Sequence, residues 1–283
     1  EIKILVWTLY VQDYTWYNIC EKGWCAMGIK ESEKKVNEIL DYYGLSYEQQ
    51  EDFWKIVKHI FEHDEFQRRM SNDFPHHGDI TLGEHILSDA AVTYKLTEKS
   101  KFKEAYLDRK TAVIIAMFHD LYTLNWQNNP ENFNKYDYNG HAFRHPIEAI
   151  VNAISWYPEY FKGDATFKII DGVVHHMYPL PVKRFDGSPM ELKNGNIFDN
   201  LPDKIKNLIV FSSNRGLKYK HFSICRSYFL EGRIMSKADK IVSFGDYIDD
   251  IKRNGVGSLS ALFTGTNKNL KNYEDTEKFR KRR

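Results

Sequence analysis

AVIIAMFHDLYTL, residues 112–124, is the stretch whose reading decides the rest of the chain. From Ala112 to Phe118 it is apolar throughout, so RKTAVIIAMFHD (109–120) reads as the most buried helix of the sequence. That helix runs into a histidine and a carboxylate, His119 and Asp120. Leaving both without partners at the end of a buried helix costs several kcal/mol or more. Partners must come from elsewhere in the chain.

A second His-Asp dipeptide serves as a control. His63-Asp64 lies in KHIFEHDEFQRR among Glu62, Glu65, Gln67 and two arginines, and it reads as a solvated helix end. The apolar context of His119-Asp120 sets it apart.

The segments around it are helical. ESEKKVNEILDYYG (31–44) carries apolar Val36, Ile39 and Leu40 and ends at a C-capping Gly44, and Ser46 with Gln49 resembles a capping box for the helix through EDFWKIVKHIF. ITLGEHILSDAAVTYKL (80–96) places Leu82, His85, Ile86 and Asp89 on roughly one face. HPIEAIVNAISWY (145–157) starts a helix with Pro146 in its first turn, where proline is tolerated. DATFKIIDGVVHHM (164–177) and SKADKIVSFGDYIDDIK (236–252) complete the regular set. Strand signals are weak and short, so the expected fold is all-α. PLPVKRFDGSPMELKNGNIFDNLPD (179–203) is rich in Pro, Gly and Asn and reads as an irregular loop or small hairpin insertion. The expected organisation is N-terminal helices over 1–75 packed on a helical core over 76–255, followed by a tail over 256–283 whose FRKRR is frayed and solvated.

Composition narrows the class. The chain has 283 residues, 42% hydrophobic and 28% charged, with net charge +1. Those values suit a globular protein and give no overall field pointing to nucleic acid or an anionic membrane. Cys20, Cys25 and Cys225 form no metal-type CxxC pair, and the odd count suggests reduced thiols and a cytoplasmic setting. EIKILVWTLYVQDYTWY at the N-terminus carries Glu1, Lys3 and Asp13, so it reads as neither a signal peptide nor a membrane span. Glu1 in the initiator position suggests a trimmed or incomplete N-terminus.

The eleven histidines matter through their placement. His85 sits in an amphipathic helix upstream of His119-Asp120, His145 opens the helix downstream, His175-His176 ends the one after, and Asp239 lies in the apolar SKADKIVSF. Five separate helices thus offer imidazoles and carboxylates able to converge in a bundle core. That donor set suits Zn, Mn, Fe or a similar divalent metal. Weaker candidates lie around it. Arg144, between His141 and His145, could hold a phosphate, as could Lys183 or Arg184. His141, one helical turn from His145, could replace it as a ligand or act as a general acid. His76 and His77 could line a cleft, with a loop or cap role as the alternative; Tyr122, Trp126 and Tyr178 could stack on a base or simply pack.

Over residues 76–250 this ordered set resembles the HD superfamily of metal-dependent phosphohydrolases. The signature residues would be His85 in GEHILSDAAVTYKL, His119-Asp120 in IIAMFHDL and Asp239 in SKADKIV, with His145 and His175-His176 matching the extra histidines of members that hold two metals. The resemblance implies an HD-domain helical bundle with the ligands at its centre. His85, His119, Asp120 and Asp239 would surround one ion, and Asp120 would bridge to a second held by His145, His175 and His176. It further implies hydrolysis of a phosphate ester or nucleotide by a divalent ion among Mn, Fe, Co, Mg, Ni and Zn, on a small phosphorylated substrate, with a homo-oligomer left open. The chain departs from the family's pattern in three places. HDLYTLNWQ has no lysine near the pair, Met177 replaces the glutamate of members acting on cyclic dinucleotides, and Thr81 stands where members with a third metal carry a carboxylate. An HD-fold di-iron oxygenase and a non-catalytic ligand-binding HD module remain the alternatives.

Overall fold

The computed structural model describes residues 29–76, 80–98, 107–123 and 141–254. Cys20, Cys25, His77, Trp126, the N-terminal aromatic stretch, the 256–283 tail and the side chain of His141 lie outside the described residues. Within them the chain forms ten α-helices and one small sheet. The helices are α1 (Ile29–Tyr42), α2 (Tyr47–Phe61), α3 (Asp64–Arg69), α4 (Leu82–Thr97), α5 (Arg109–Phe118), α6 (His141–Trp156), α7 (Ala165–Val174), α8 (Gly195–Asp199), α9 (Asp203–Ser213) and α10 (Leu230–Asn254). The expected all-α bundle is the observed fold.

Local chemistry accounts for the helix ends. Gly44 takes φ +66° after α1, and the backbone N–H groups of Gly44 and Leu45 close on Asp41 and Leu40 carbonyls. Ser46 and Gln49 form the anticipated capping box of α2. Thr81 and Glu84 form a second one at α4, and Asp108 caps α5 through the Thr111 N–H. His63 caps the start of short α3 by accepting from the Glu65 N–H, so the control dipeptide opens a helix instead of ending one.

Three expectations are revised. α6 begins at His141, which leaves Pro146 inside the helix, one backbone donor short. α7 stops at Val174, so His175 and His176 lie beyond it. Of the three strands only β1 (Val182–Lys183) falls in the 179–203 segment, which also holds α8; β1 pairs with β3 (Phe222–Ile224), which pairs with β2 (Leu217–Tyr219), all antiparallel. The hairpin is therefore formed by β2 and β3, turned at Lys220 with φ +50° and no glycine in the turn to announce it.

One apolar cluster joins Val36, Leu40 and Phe53 of the N-terminal helices to Ile86, Ile115, Val151 and Val174 of the central ones. α5 lies at its middle, with Ala112 to Phe118 all buried. Among the described residues no helix is long and apolar enough to cross a membrane.

α7 and α10 meet glycine to glycine. A Cβ on Gly232 of α10 would stand 2.7 Å from Gly172 Cα of α7, and one on Gly172 would stand 2.7 Å from Ile115 of α5. Backbone on one side cannot yield as a side-chain tip would, so Gly232→Ala should cost about 1–3 kcal/mol of stability, read by chemical denaturation.

Candidate metal centre

Four helices deliver the central groups. α4 carries His85 and Asp89, one turn apart on its buried face; the C-terminal end of α5 presents His119 and Asp120; the chain just past α7 presents His176; α10 presents Asp239. All of these are buried, Asp89 and His119 completely. His85 Nε2 lies 3.2 Å from Asp89 Oδ2 and 4.0 Å from Asp239 Oδ1, and His119 Nε2 lies 3.1 Å from Asp89 Oδ2. On the other side Asp120 Oδ1 is 3.1 Å from His145 Nε2 and 3.6 Å from His176 Nε2, and those two nitrogens are 3.0 Å apart.

The scaffold grips the turn that carries the pair. The fully buried Arg69 donates to the Tyr122 carbonyl at 2.5 Å, and its guanidinium lies over Trp156. Asn152 Nδ2 donates to the Leu121 carbonyl at 2.7 Å and is itself fixed by Asn194. Past α7, the His176 carbonyl accepts from Ser236 Oγ and Lys240 Nζ of α10. The ligand-bearing turns are thus tied to neighbouring elements through main-chain atoms, which leaves the side chains available to the centre.

The imidazoles are set to present Nε2. His119 sits at the C-cap of α5, where the last carbonyls lack helical partners, and its Nδ1 donates to the Ala116 carbonyl at 2.7 Å. His176 does the same to the Val173 carbonyl at 2.8 Å. Each Nδ1–H is thereby held, and the Nε2 lone pair is directed inward.

The donor set fits a divalent cation. Both Asp89 oxygens, Asp120 Oδ1 and His119 Nε2 are buried without an aligned hydrogen bond, although charged neighbours lie within 3.1–3.7 Å. Two ligands bonded at roughly 2.1 Å and at right angles lie about 3.0 Å apart, which is the spacing these atoms have. Two groupings of donors are close enough to hold an ion: His85, Asp89, His119 and Asp239, and His119, Asp120 and His176. A third, of His76, His85 and Asp120, adds His76, whose ring stacks on His85 at 4.0 Å between centroids.

Electrostatics reflect the crowding of carboxylates. Burial disfavours the charged imidazoles, but Asp89, Asp120 and Asp246 overcome it at His85, which is pushed up to about 10. Against the same burial, Asp120 and Asp89 raise His119 to about 9. Burial alone would raise Asp120, yet His119, His145 and His176 hold it well below the usual carboxylate range. Burial pushes His176 well down, helped by His145 and His119, and burial together with Asp89 pushes Asp239 up.

Several sequence candidates stand elsewhere. His175 turns away from the centre: its Nε2 donates to the Ser212 carbonyl at 3.1 Å, and burial pushes it down to about 4. Beside it the buried Asp171 accepts from Ser227 Oγ, the Tyr228 N–H, Ser212 Oγ and Arg215. Lys183 pairs with Glu191, and Arg184 donates to Asn214 and the Lys220 carbonyl, so neither loop cation joins the cluster. Arg144 is half-buried one position before His145, in the field of Lys193. Tyr122 is packed, 3% exposed, while Tyr178 is 36% exposed.

Asp89 is the group the ordered motif misses. Its signal was present, since Asp89 follows His85 by four residues on the same helix face. No family model matches the chain, and neither a curated protein nor a solved structure matches it.

The histidine doublet gives one test. His176→Ala should lower bound metal measured by elemental analysis, whereas His175→Ala should lower the melting temperature and keep the metal. A second concerns pH. The unfolded chain releases its imidazole protons near pH 6.5. The folded chain keeps those of His119 and His85 to about 9 and 10. Between these limits the native state binds more protons, so stability falls as pH rises. Melts of chelator-treated protein should therefore show Tm dropping from pH 7 to 10. The decline should vanish in metal-loaded protein, whose imidazoles are already neutral.

Proposed function

We propose that the chain is a metal-dependent phosphohydrolase of the HD type, acting on a phosphate ester or nucleotide. One observation carries the reading. Buried imidazoles and carboxylates, in the order His, His-Asp, His, His, Asp along the chain, converge with their Nε2 atoms facing shared carboxylates. His85, Asp89, His119 and Asp239 would hold one divalent cation, and Asp120, His145 and His176 a second. Bound there, such ions would acidify a water and offset charge on phosphoryl oxygens.

The protein's own groups do the rest. Asp120, adjoining both groupings, keeps its carboxylate ionised and ties the two halves of the centre together. Arg144, on the helix of His145, and Lys193, in its field, supply positive charge for a phosphate; burial lowers Lys193, and the buried Glu148 opposes that. His76, half-buried and stacked on His85, borders the cluster. Lys240, 3.7 Å from Asp239 Oδ2, provides a cation where the segment after His119-Asp120 has none.

Metal analysis of the purified protein, followed by a phosphate-release panel with Mn, Co, Mg and Fe, tests this reading. Phosphate release should need the ion and stop with chelator. Asp120→Ala should lower kcat by more than the roughly 100-fold typical of groups that only orient ligands. Bound iron with oxygen consumption and no phosphate release would replace the hydrolase by an oxygenase, and fully stable metal-free protein that turns nothing over would replace it by a binding module.

A further inference from the structure

The inward-facing imidazoles of His85, His119 and His176 are not held in the same way. His119 and His176 sit at or beyond helix C-termini, where a spare carbonyl three residues back accepts their Nδ1–H. His85 is placed differently. It is the fourth residue of α4, inside the hydrogen-bonded ladder, and its own N–H already takes the Thr81 carbonyl. It is 1% exposed, and its Nδ1 faces α10, where Asp246 Oδ2 stands 3.3 Å away.

We infer that Asp246 is a positioning residue of the metal centre, holding His85 with Nδ1 protonated and Nε2 directed at Asp89 and Asp239. Asp246 follows Asp239 by seven residues, nearly two helical turns, so both carboxylates lie on one face of α10. Ser243 between them donates to Asp239 Oδ1 at 3.2 Å. One helix face thus supplies a ligand, a group that steadies that ligand, and the carboxylate that orients the ligand on the facing helix. A carboxylate behind an imidazole also raises its basicity, which strengthens its bond to a cation.

This inference rests on the reading of the cluster as a metal centre, and its test separates the two. Full-length protein is stripped with chelator and titrated with Mn(II) in a competition assay. Asp246→Ala should weaken Mn(II) binding roughly 10- to 100-fold. Asp246→Asn, which keeps an acceptor oxygen without the charge, should weaken it less. Phe244→Ala, exposed on another face of the same helix, should bind as the wild type does. The Co(II)-loaded protein should show an altered visible spectrum for Asp246→Asn and an unchanged one for Phe244→Ala. That signature follows the His85–metal bond and not general stability. If the wild type binds neither Mn(II) nor Co(II), the metal-centre reading fails. If the wild type binds both ions and Asp246→Asn matches it in affinity and spectrum, Asp246 has no positioning role and the metal centre stands. Should Asp246→Ala not fold, the Asn variant alone decides.

Discussion

The structure turns on one carboxylate. Asp89 is sealed between His85 and His119, fully buried, with no aligned hydrogen-bond donor on either oxygen. Such a charge is stable in a protein interior only with positive charge close by. Asp120 and Asp239 add to the demand within a few ångströms. Protons on His85 and His119 can meet it, and so can metal cations. The two solutions exclude each other, because an imidazole nitrogen that carries a proton has no lone pair for a metal. A cation bound there would therefore displace protons, and the fold would have to remain intact through that exchange.

The surroundings show how it does so. The elements that present the ligands are fixed by their backbones, through Arg69 on the Tyr122 carbonyl, Asn152 on the Leu121 carbonyl, and Ser236 with Lys240 on the His176 carbonyl. These clamps act on main-chain atoms and do not engage the side chains of Asp120 and His176. The near contact of Gly172 with Gly232 adds a steric limit, because α7 and α10 meet there with almost nothing between their backbones. Rigid mounting of this kind suits a site whose ligands must hold their spacing to a fraction of an ångström.

Much of this was legible in the sequence, for identifiable reasons. The apolar run before His119 fixes burial, and burial makes the His-Asp pair a demand for partners. Capping residues such as Ser46 and Gly44 mark helix ends by short-range chemistry that one chain segment contains entirely. The structure brings His85, His119, Asp120, His145, His176 and Asp239 together in one buried cluster. His175 was not separable from His176, because neighbours share the same local context and only the tertiary partners Asp171 and Ser212 tell them apart. Asp89 was placed on the right face but not assigned, since a carboxylate one turn from a histidine is common on helices. The β2–β3 hairpin was missed because strands of three residues, joined at Lys220 instead of a glycine, leave almost no periodic signal.

The doublet His175-His176 shows a form of encoding that residue identity alone does not carry. Two identical side chains stand side by side, one bound to the scaffold through Ser212 and the other facing the Asp120 cluster. What sorts them is Asp171, four residues before His175 and locked by Ser227, Tyr228 and Arg215. Asp171 works as an index mark: it sets the angular register in which α7 leaves its last turn, and the register decides which ring faces inward. A single residue gained between Asp171 and the doublet would keep both histidines, yet move His175 to the position from which His176 faces inward.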